Sequence, residues 1–304
     1  MLKVDHLEKS FGTKQVLHQI SFEIKRGHIV GLIGANGAGK TTIMKSILGI
    51  TSFTGKIVFN GLKITADDHR ALERVGALIE YPGLYPYLTG REQLTLFSRG
   101  DQPRNKVNRI IEDLGISSYA DIKTSKYSLG MRQKLGIALA FVNNPELVIL
   151  DEPMNGLDPK ATMELRDLIL KKKEQGVTFL ISSHILSELQ KIADEVTIID
   201  HGRLVLNSTM QDILSKSSKY LLLDTNQNPV AEKVLLQNGY EVFTDKHLLK
   251  IKRPQNSSIN EMLKVLWTQN ILIKNISETQ GDLEDSLLDV LKNPLKKAWR
   301  SETC

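Results

Sequence analysis

The chain has 304 residues, with 40 Lys and Arg against 35 Asp and Glu, and a net charge of +5. Its length suits two domains of about 150 residues each, and so slight a cationic surplus, with Lys171-Lys172-Lys173 and Lys296-Lys297 read as solvated helix faces, leads us to expect no nucleic-acid partner. No apolar run nears the roughly 20 residues that span a bilayer, the opening Met1-Leu2-Lys3-Val4-Asp5-His6 lacks a signal-peptide pattern, and the lone Cys304 excludes an intramolecular disulfide framework, in line with a reducing cytoplasm.

Residues 2 to 33 alternate apolar and polar, as in Leu2 and Val4 and again in Ile20, Phe22 and Ile24, which predicts antiparallel strands. Phe11 falls in this stretch, where an aromatic is ordinarily core. The apolar run from His28 to Ile33 predicts a buried strand. Gly34-Ala35-Asn36-Gly37-Ala38-Gly39-Lys40-Thr41 follows and satisfies G-x-x-x-x-G-K-[ST], with helix-like residues from Thr42 to Leu48 beyond it. A strand before and a helix after make this loop a phosphate cradle. Gly34, Asn36, Gly37 and Gly39 let backbone N–H groups converge on phosphate oxygens, and the helix start at Thr41 and Thr42 aims its positive dipole end at the same anions. Lys40 then neutralises the β- and γ-phosphates of a bound nucleotide, and Thr41 offers its hydroxyl to Mg²⁺.

Ile79-Glu80-Tyr81-Pro82 opens a Pro/Gly-rich turn that carries Tyr81, Tyr85 and Tyr87. Aromatics on such a loop suit an interface, a self-packed surface turn being the alternative. A carboxylate at Glu80 accepts hydrogen bonds without donating and adds a negative charge, so it favours Mg²⁺ over phosphate unless it is a plain solvated acid. Residues 88 to 141 read as helical, opened by the capping box Thr89-Gly90-Arg91-Glu92 and punctuated by Pro103 and Gly115. Tyr127-Ser128-Leu129-Gly130-Met131 precedes an apolar-periodic helix over 131–141. Ser128 and the N–H groups at that helix start form a second anion site, which could meet a phosphate already held by Lys40 only from across an interface.

Leu147-Val148-Ile149-Leu150 reads as a doubly covered strand ending in Asp151-Glu152, and acids at that end face a ligand crevice. Asp151 is expected to bind Mg²⁺, directly or through water, and Glu152 to polarise the water attacking the γ-phosphate. Asp158, before Pro159, reads either as a helix cap or as a catalytic-communication residue. His184 follows the strand run Val177 to Ile181. Strands near 29–33, 147–150, 177–182 and 195–200, alternating with helices, predict a doubly wound sheet. Beyond about residue 213 the units shorten. Strand 220–223, helix 230–236, hairpin strands 241–243 and 248–251, helix 259–267 and strand 271–273 make a β-α-β-β-α-β unit of the ferredoxin-like kind, with a last helix at 283–291. The expected division is therefore 1–212 and 213–304.

The order of phosphate loop, Ser128-Leu129-Gly130, Leu147 to Glu152, Asn155-Gly156-Leu157-Asp158 and Ser182-Ser183-His184 resembles the ATP-binding subunit of an ABC transporter over about residues 1 to 210. That family's usual signature is Leu-Ser-Gly-Gly-Gln. Ser128 and Gly130 match it, while Tyr127, Leu129 and Met131 depart. These departures, with Glu80 where the family usually has glutamine, resemble the bacitracin-resistance and lantibiotic-immunity class. The resemblance implies an α/β P-loop nucleotide-binding domain with antiparallel β and helical subdomains, and a small α+β domain behind it. ATP and Mg²⁺ are the implied cofactors. Phe11 would stack on adenine, His184 would contact the γ-phosphate and orient the attacking water, and Asp158 would lie on an interface.

The implied partners are a second copy, paired head to tail so that Ser128 and Gly130 of one chain meet the phosphate loop of the other over ATP, and membrane-spanning transporter subunits that dock on the helical subdomain. The implied place is the cytoplasmic face of the membrane, and the implied function is ATP hydrolysis that powers export of a membrane-active antimicrobial peptide. A soluble ABC-type ATPase acting on ribosomes or DNA is the alternative; such factors usually carry two cassettes or a long coiled-coil insertion, and neither is present. A regulator that binds without hydrolysing is opposed by Glu152 and His184. The C-terminal part has no cluster that reads as catalytic and, on fold analogy, is a dimer-stabilising or partner-docking appendage.

Overall fold

The computed structural model describes residues 1–65, 67–215, 218–245, 247–252 and 259–286. They fall into two compact units, Met1–Met210 and Gln211–Cys304. In the first, β1 (Leu2–Phe11) and β2 (Lys14–Ile24) form the expected antiparallel pair: period-two alternation puts Leu2 and Val4 on one face with Phe22 and Ile24, and an irregularity at His6, where φ is 48°, brings Leu7 into the same core. β3 (Ile29–Ile33) runs into the phosphate loop and α1 (Lys40–Ile47), and β4 (Thr54–Phe59) and β5 (Leu62–Ile64) complete an antiparallel sheet of order β2-β1-β4-β5. Its buried side shares one core with Ile43, Met44 and Ile47 of α1.

The chain continues through β6 (Val75–Leu78), α2 (Gly90–Phe97), α3 (Pro103–Asp113), α4 (Leu129–Phe141), β7 (Leu147–Asp151) and α5 (Pro159–Glu174). β8 (Thr178–Ser182), α6 (Leu186–Gln190), β9 (Glu195–Asp200), β10 (Arg203–Thr209) and α7 (Met210–Ser215) follow. A six-stranded sheet has the order β10-β9-β3-β8-β7-β6, parallel except for β10 against β9. Every residue of β3, β7 and β8 is buried, which explains why these strands read as unbroken apolar runs. Register sets the site. Leu32 lies beside Ser182 and Ser182 beside Asp151, so the carboxyl ends of β3, β8 and β7 are level.

The helical stretch starts where its capping box predicts: Thr89 Oγ1 accepts from the Glu92 N–H at 3.1 Å and Glu92 Oε2 from the Thr89 N–H at 2.7 Å. Pro103 takes the first turn of α3 and Gly115 follows its end with φ 62°. α4 lies hard against β6, since a Cβ on Gly76 would fall 1.8 Å from the Ala140 carbonyl oxygen. Only a glycine admits that approach.

The second unit contains β11 (Lys219–Thr225), α8 (Asn228–Gln237), β12 (Val242–Asp245), β13 (Leu248–Lys252), α9 (Ile259–Trp267) and β14 (Ile273–Gln280). Its antiparallel sheet, β12-β13-β11-β14, has the split β-α-β-β-α-β arrangement expected, with Leu221, Leu223, Leu249 and Ile251 packed against Ala231 and Leu235 of α8 and Met262 and Leu266 of α9.

Several boundaries differ from the sequence reading. The strand expected at 271–273 begins only at Ile273 and runs to Gln280, because the Ile271 N–H bonds the Leu266 carbonyl at the end of α9 and its side chain is core. β14 is polar and almost wholly exposed, so it lacks the alternation that marks a strand. β5, β6 and β10 are edge strands and β4 an inner one that the pattern did not single out. The helix expected over 185–193 is confined to α6. Of the helix expected at 283–291, the part beyond Ser286 lies outside the described residues, as do Lys296, Lys297 and Cys304.

Candidate functional site

The phosphate loop curls as a cradle requires. Gly37 and Gly39 hold φ at 82° and 111°, and a Cβ on Gly39 would come 2.7 Å from Leu17 Cδ2, so the loop can lie against β2 only with glycine there. α1 begins at Lys40, with the N–H groups of its first turn at the loop. The Lys40 side chain is almost fully buried, and its ammonium donates to the Gly34 and Ala35 carbonyls at 2.7 and 3.3 Å. A cation held by two neutral carbonyls is poised for an anion that binds it better. Loop and strand ends border a cleft of about 520 Å³ lined by Phe11, Asn36, Gly37, Gly39, Lys40, Thr41 and Thr42, and on its other side by Glu80, Tyr81, Asp151 and Glu152.

Asp151 is only 5% exposed. Thr41 Oγ1 donates to its Oδ2 at 2.7 Å and Ser182 Oγ to its Oδ1 in a short hydrogen bond, so one carboxylate ties the residues after β3, β7 and β8 together. A buried anion with two hydroxyl donors and no cationic partner among the described residues is an oxygen-rich place for a hard cation. Those residues contain no group of three or more His, Cys, Asp or Glu that could hold a metal. Mg²⁺ needs none, since it is commonly held by one or two protein groups, substrate phosphates and water. The donor set therefore fits Mg²⁺ beside ATP.

At Glu152 the chain turns through a left-handed φ of 50°, and the Glu152 N–H donates to Ser182 Oγ at 2.9 Å. This turn sends the carboxylate towards β8, where Oε2 lies 2.7 Å from His184 Nδ1 and 3.1 Å from the His184 backbone nitrogen. Residues 32 apart in sequence thus form one acid–imidazole pair beside the cleft.

Ser128 caps α4, its Oγ accepting from the Met131 N–H at 3.3 Å. Tyr127, where the sequence departs from Leu, is buried: its hydroxyl donates to the Tyr119 carbonyl at 2.6 Å, and its ring meets Tyr119 edge-on at 5.1 Å. Burial raises both phenols above the usual tyrosine range, which keeps them neutral. Gly130 faces the Gly156 carbonyl, and Leu129 covers Gly156. Leu129 lines the cleft but Ser128 and Gly130 do not, so the described chain does not bring those two to Lys40. Asp158 is a helix cap, its Oδ1 accepting from the Ala161 N–H at 2.8 Å.

Glu80 lines the cleft, yet its carboxylate accepts from Lys45 of α1 at 2.7 Å, whereas the Thr41 hydroxyl donates to Asp151. Tyr81 and Tyr87 are 82% and 64% exposed. Tyr85 combines the two readings of this turn. It is exposed, but it also stacks on Phe97 at 6.3 Å, and its N–H and carbonyl are gripped by the fully buried Gln93 amide.

Three contributors were missed from sequence. Ser182 orders both Asp151 and Glu152, and Gln133 donates to the Pro153 carbonyl at 3.2 Å beneath the loop after β7. Asn155 lines the cleft. A glutamine on the buried face that also carries Gly136, Ile137 and Ala140 was the available signal for Gln133.

The ABC transporter family matches residues 17–155. The bacitracin transport ATP-binding protein BcrA of Enterococcus faecalis is 35% identical over 291 residues, covering 94% of this chain and 94% of that protein. This chain is an ABC transporter ATP-binding subunit. The lantibiotic transport ATP-binding protein SrtF of Streptococcus pyogenes is 39% identical over 208 residues, 68% of this chain and 90% of that protein. A solved ATP-binding subunit of an ABC transporter superposes with a TM-score of 0.66 at 32% identity, covering 71% of this chain and 92% of that one. The subunit binds ATP and hydrolyses it to drive transport, and similarity to transport proteins over nearly its whole length supports that role rather than one on ribosomes or DNA. Among the described residues no helix is long and apolar enough to cross a membrane.

Proposed function

We propose that this subunit powers export of a membrane-active antimicrobial peptide, for self-protection or resistance, from the cytoplasmic face of the membrane. The observation that carries the reading is similarity to the ATP-binding proteins of bacitracin and lantibiotic transport. Lys40 leaves the Gly34 and Ala35 carbonyls to neutralise phosphate oxygens, while Gly34, Asn36, Gly37, Gly39 and Thr42 line or shape the cradle. Thr41 and Asp151 hold Mg²⁺, which supplies charge neutralisation at the phosphates. Glu152 polarises the attacking water. With Nδ1 of His184 facing Glu152, Nε2 is left for the γ-phosphate, to which it can donate only when both ring nitrogens carry protons.

Ser128 and Gly130 of a second copy complete each site, with the capped start of α5 at Asp158 on the same interface. Glu80 and the Tyr81, Tyr85 and Tyr87 rim couple the cleft to membrane-spanning subunits, and residues 213–304 assist dimerisation or docking. Cells given the intact transporter should survive higher doses of lantibiotic-type or bacitracin-type peptides, and Glu152→Gln should remove that protection. An intact, expressed system that protects against none of these peptides refutes the cargo reading.

A further inference from the structure

Lys9 of β1 is 8% exposed, although it carries an ammonium group. No carboxylate pairs with it among the described residues. Its Nζ donates to Ser52 Oγ at 3.1 Å and stands over the Phe11 ring, 4.7 Å from the centroid. Burying a cation on a hydroxyl and a ring is costly, and an apolar side chain of similar length would fill the space more cheaply. Stability therefore does not account for lysine here. The ring it covers is 54% exposed and lines the nucleotide cleft with Val16, Asn36 and Gly39.

We propose that Lys9 is a positioning residue for the purine base of ATP, through Phe11. The inference rests on Phe11 being the platform on which the base stacks. Two effects follow from the geometry. A cation over one face of a benzene ring draws electron density towards itself, so the ring presents a less negative face to an electron-rich purine. The same contact, anchored by Ser52, holds an exposed ring in one orientation before the nucleotide arrives, which lowers the ordering cost of binding. Among the described residues Lys9 makes no hydrogen bond or ion pair with the phosphate loop or the strand-end acids, so its influence should fall on the base and not on the triphosphate.

The experiment compares two ligands on the full chain by calorimetry, Mg-ATP and inorganic tripolyphosphate, which offers a similar polyphosphate anion without a base. Lys9→Met should weaken Mg-ATP binding about three- to tenfold and leave tripolyphosphate affinity as it was, with the loss appearing in KM more than in kcat. Lys9→Arg should restore most of the ATP affinity, and the thermal midpoint of Lys9→Met should not fall. Phe11→Ala should also weaken Mg-ATP binding, and adding Lys9→Met to it should cost nothing further. Equal losses for both ligands, or an undiminished Lys9→Met effect in the Phe11→Ala background, overturn the proposal. So does unchanged ATP affinity in Lys9→Met while Phe11→Ala is impaired. Unchanged ATP affinity in Phe11→Ala instead removes the platform reading, and the proposal with it.

Discussion

The strand-end wall of the cleft and its Glu80 to Tyr87 rim are built on opposite principles. At the wall, Asp151 is buried, both its oxygens accept from hydroxyls, and Glu152 is fixed by Ser182 and His184. At the rim, the exposed Glu80 is held by the half-buried Lys45, and Tyr81 and Tyr87 stand in solvent on a segment whose backbone is secured by buried Gln93. Groups that stabilise developing charge gain from burial and fixed partners. Groups that respond to another protein gain from exposure and from weak, exchangeable contacts such as a surface ion pair. This difference is why we propose chemistry for the wall and communication for the rim.

The largest expected effect tests the wall. Lys40→Ala should abolish nucleotide binding, whereas Glu152→Gln should bind ATP and lose hydrolysis by about 10² to 10⁴, the size of a positioned base. Phosphate release measured with the membrane partners present distinguishes them, and a parental rate in Glu152→Gln would take the base away from this wall. A smaller effect on hydrolysis, and a larger one on transport, is expected at the rim. Glu80→Gln and Glu80→Ala should keep much of the basal ATPase activity and lose most peptide protection in cells, since both remove the charge that Lys45 holds. If hydrolysis and protection fall equally, Glu80 belongs to the wall; if protection is untouched, it is a solvated acid. The smallest effect should come from ending the chain at residue 212. Every side chain assigned to phosphate or metal precedes that point, so the truncated protein should fold and bind Mg-ATP with little change. Circular dichroism showing an unfolded fragment would make the second unit part of the first one's stability.

Much of this contrast was legible in the chain because its parts are local. The phosphate loop is eight consecutive residues, and the capping box at Thr89 and Glu92 spans four. β7 and β8 announce themselves through unbroken burial, and the acids follow β7 directly. The rim was harder. Its tyrosines were visible, but whether they were packed or free depended on Gln93, which reaches Tyr85 from α2, and on the stack with Phe97. The extent of β14 beyond Ile273 escaped because a polar, mostly exposed strand has no period for the sequence to display.

The sequence by itself determined the nucleotide chemistry: strand, glycine loop, Lys40 and helix form one continuous segment whose geometry follows from backbone freedom and dipole direction. It also determined the order of the buried core strands and main helices, where apolar spacing is enough to choose helix or strand, but not β4, β5, β6 or β10. Only the tertiary structure decided which groups answer one another. Ser182 with Asp151, Lys45 with Glu80 and Lys9 with Ser52 are pairs 31, 35 and 43 residues apart. Each is made by sheet register or by a loop returning across the core, and hydrogen-bonding and ion-pair chemistry at such separations leaves no trace in local pattern. Phe11 is the sharpest instance. Its identity was plain from the start, yet its exposure at the cleft, and the cation lying over it, come from how β1 meets the loop that carries Ser52.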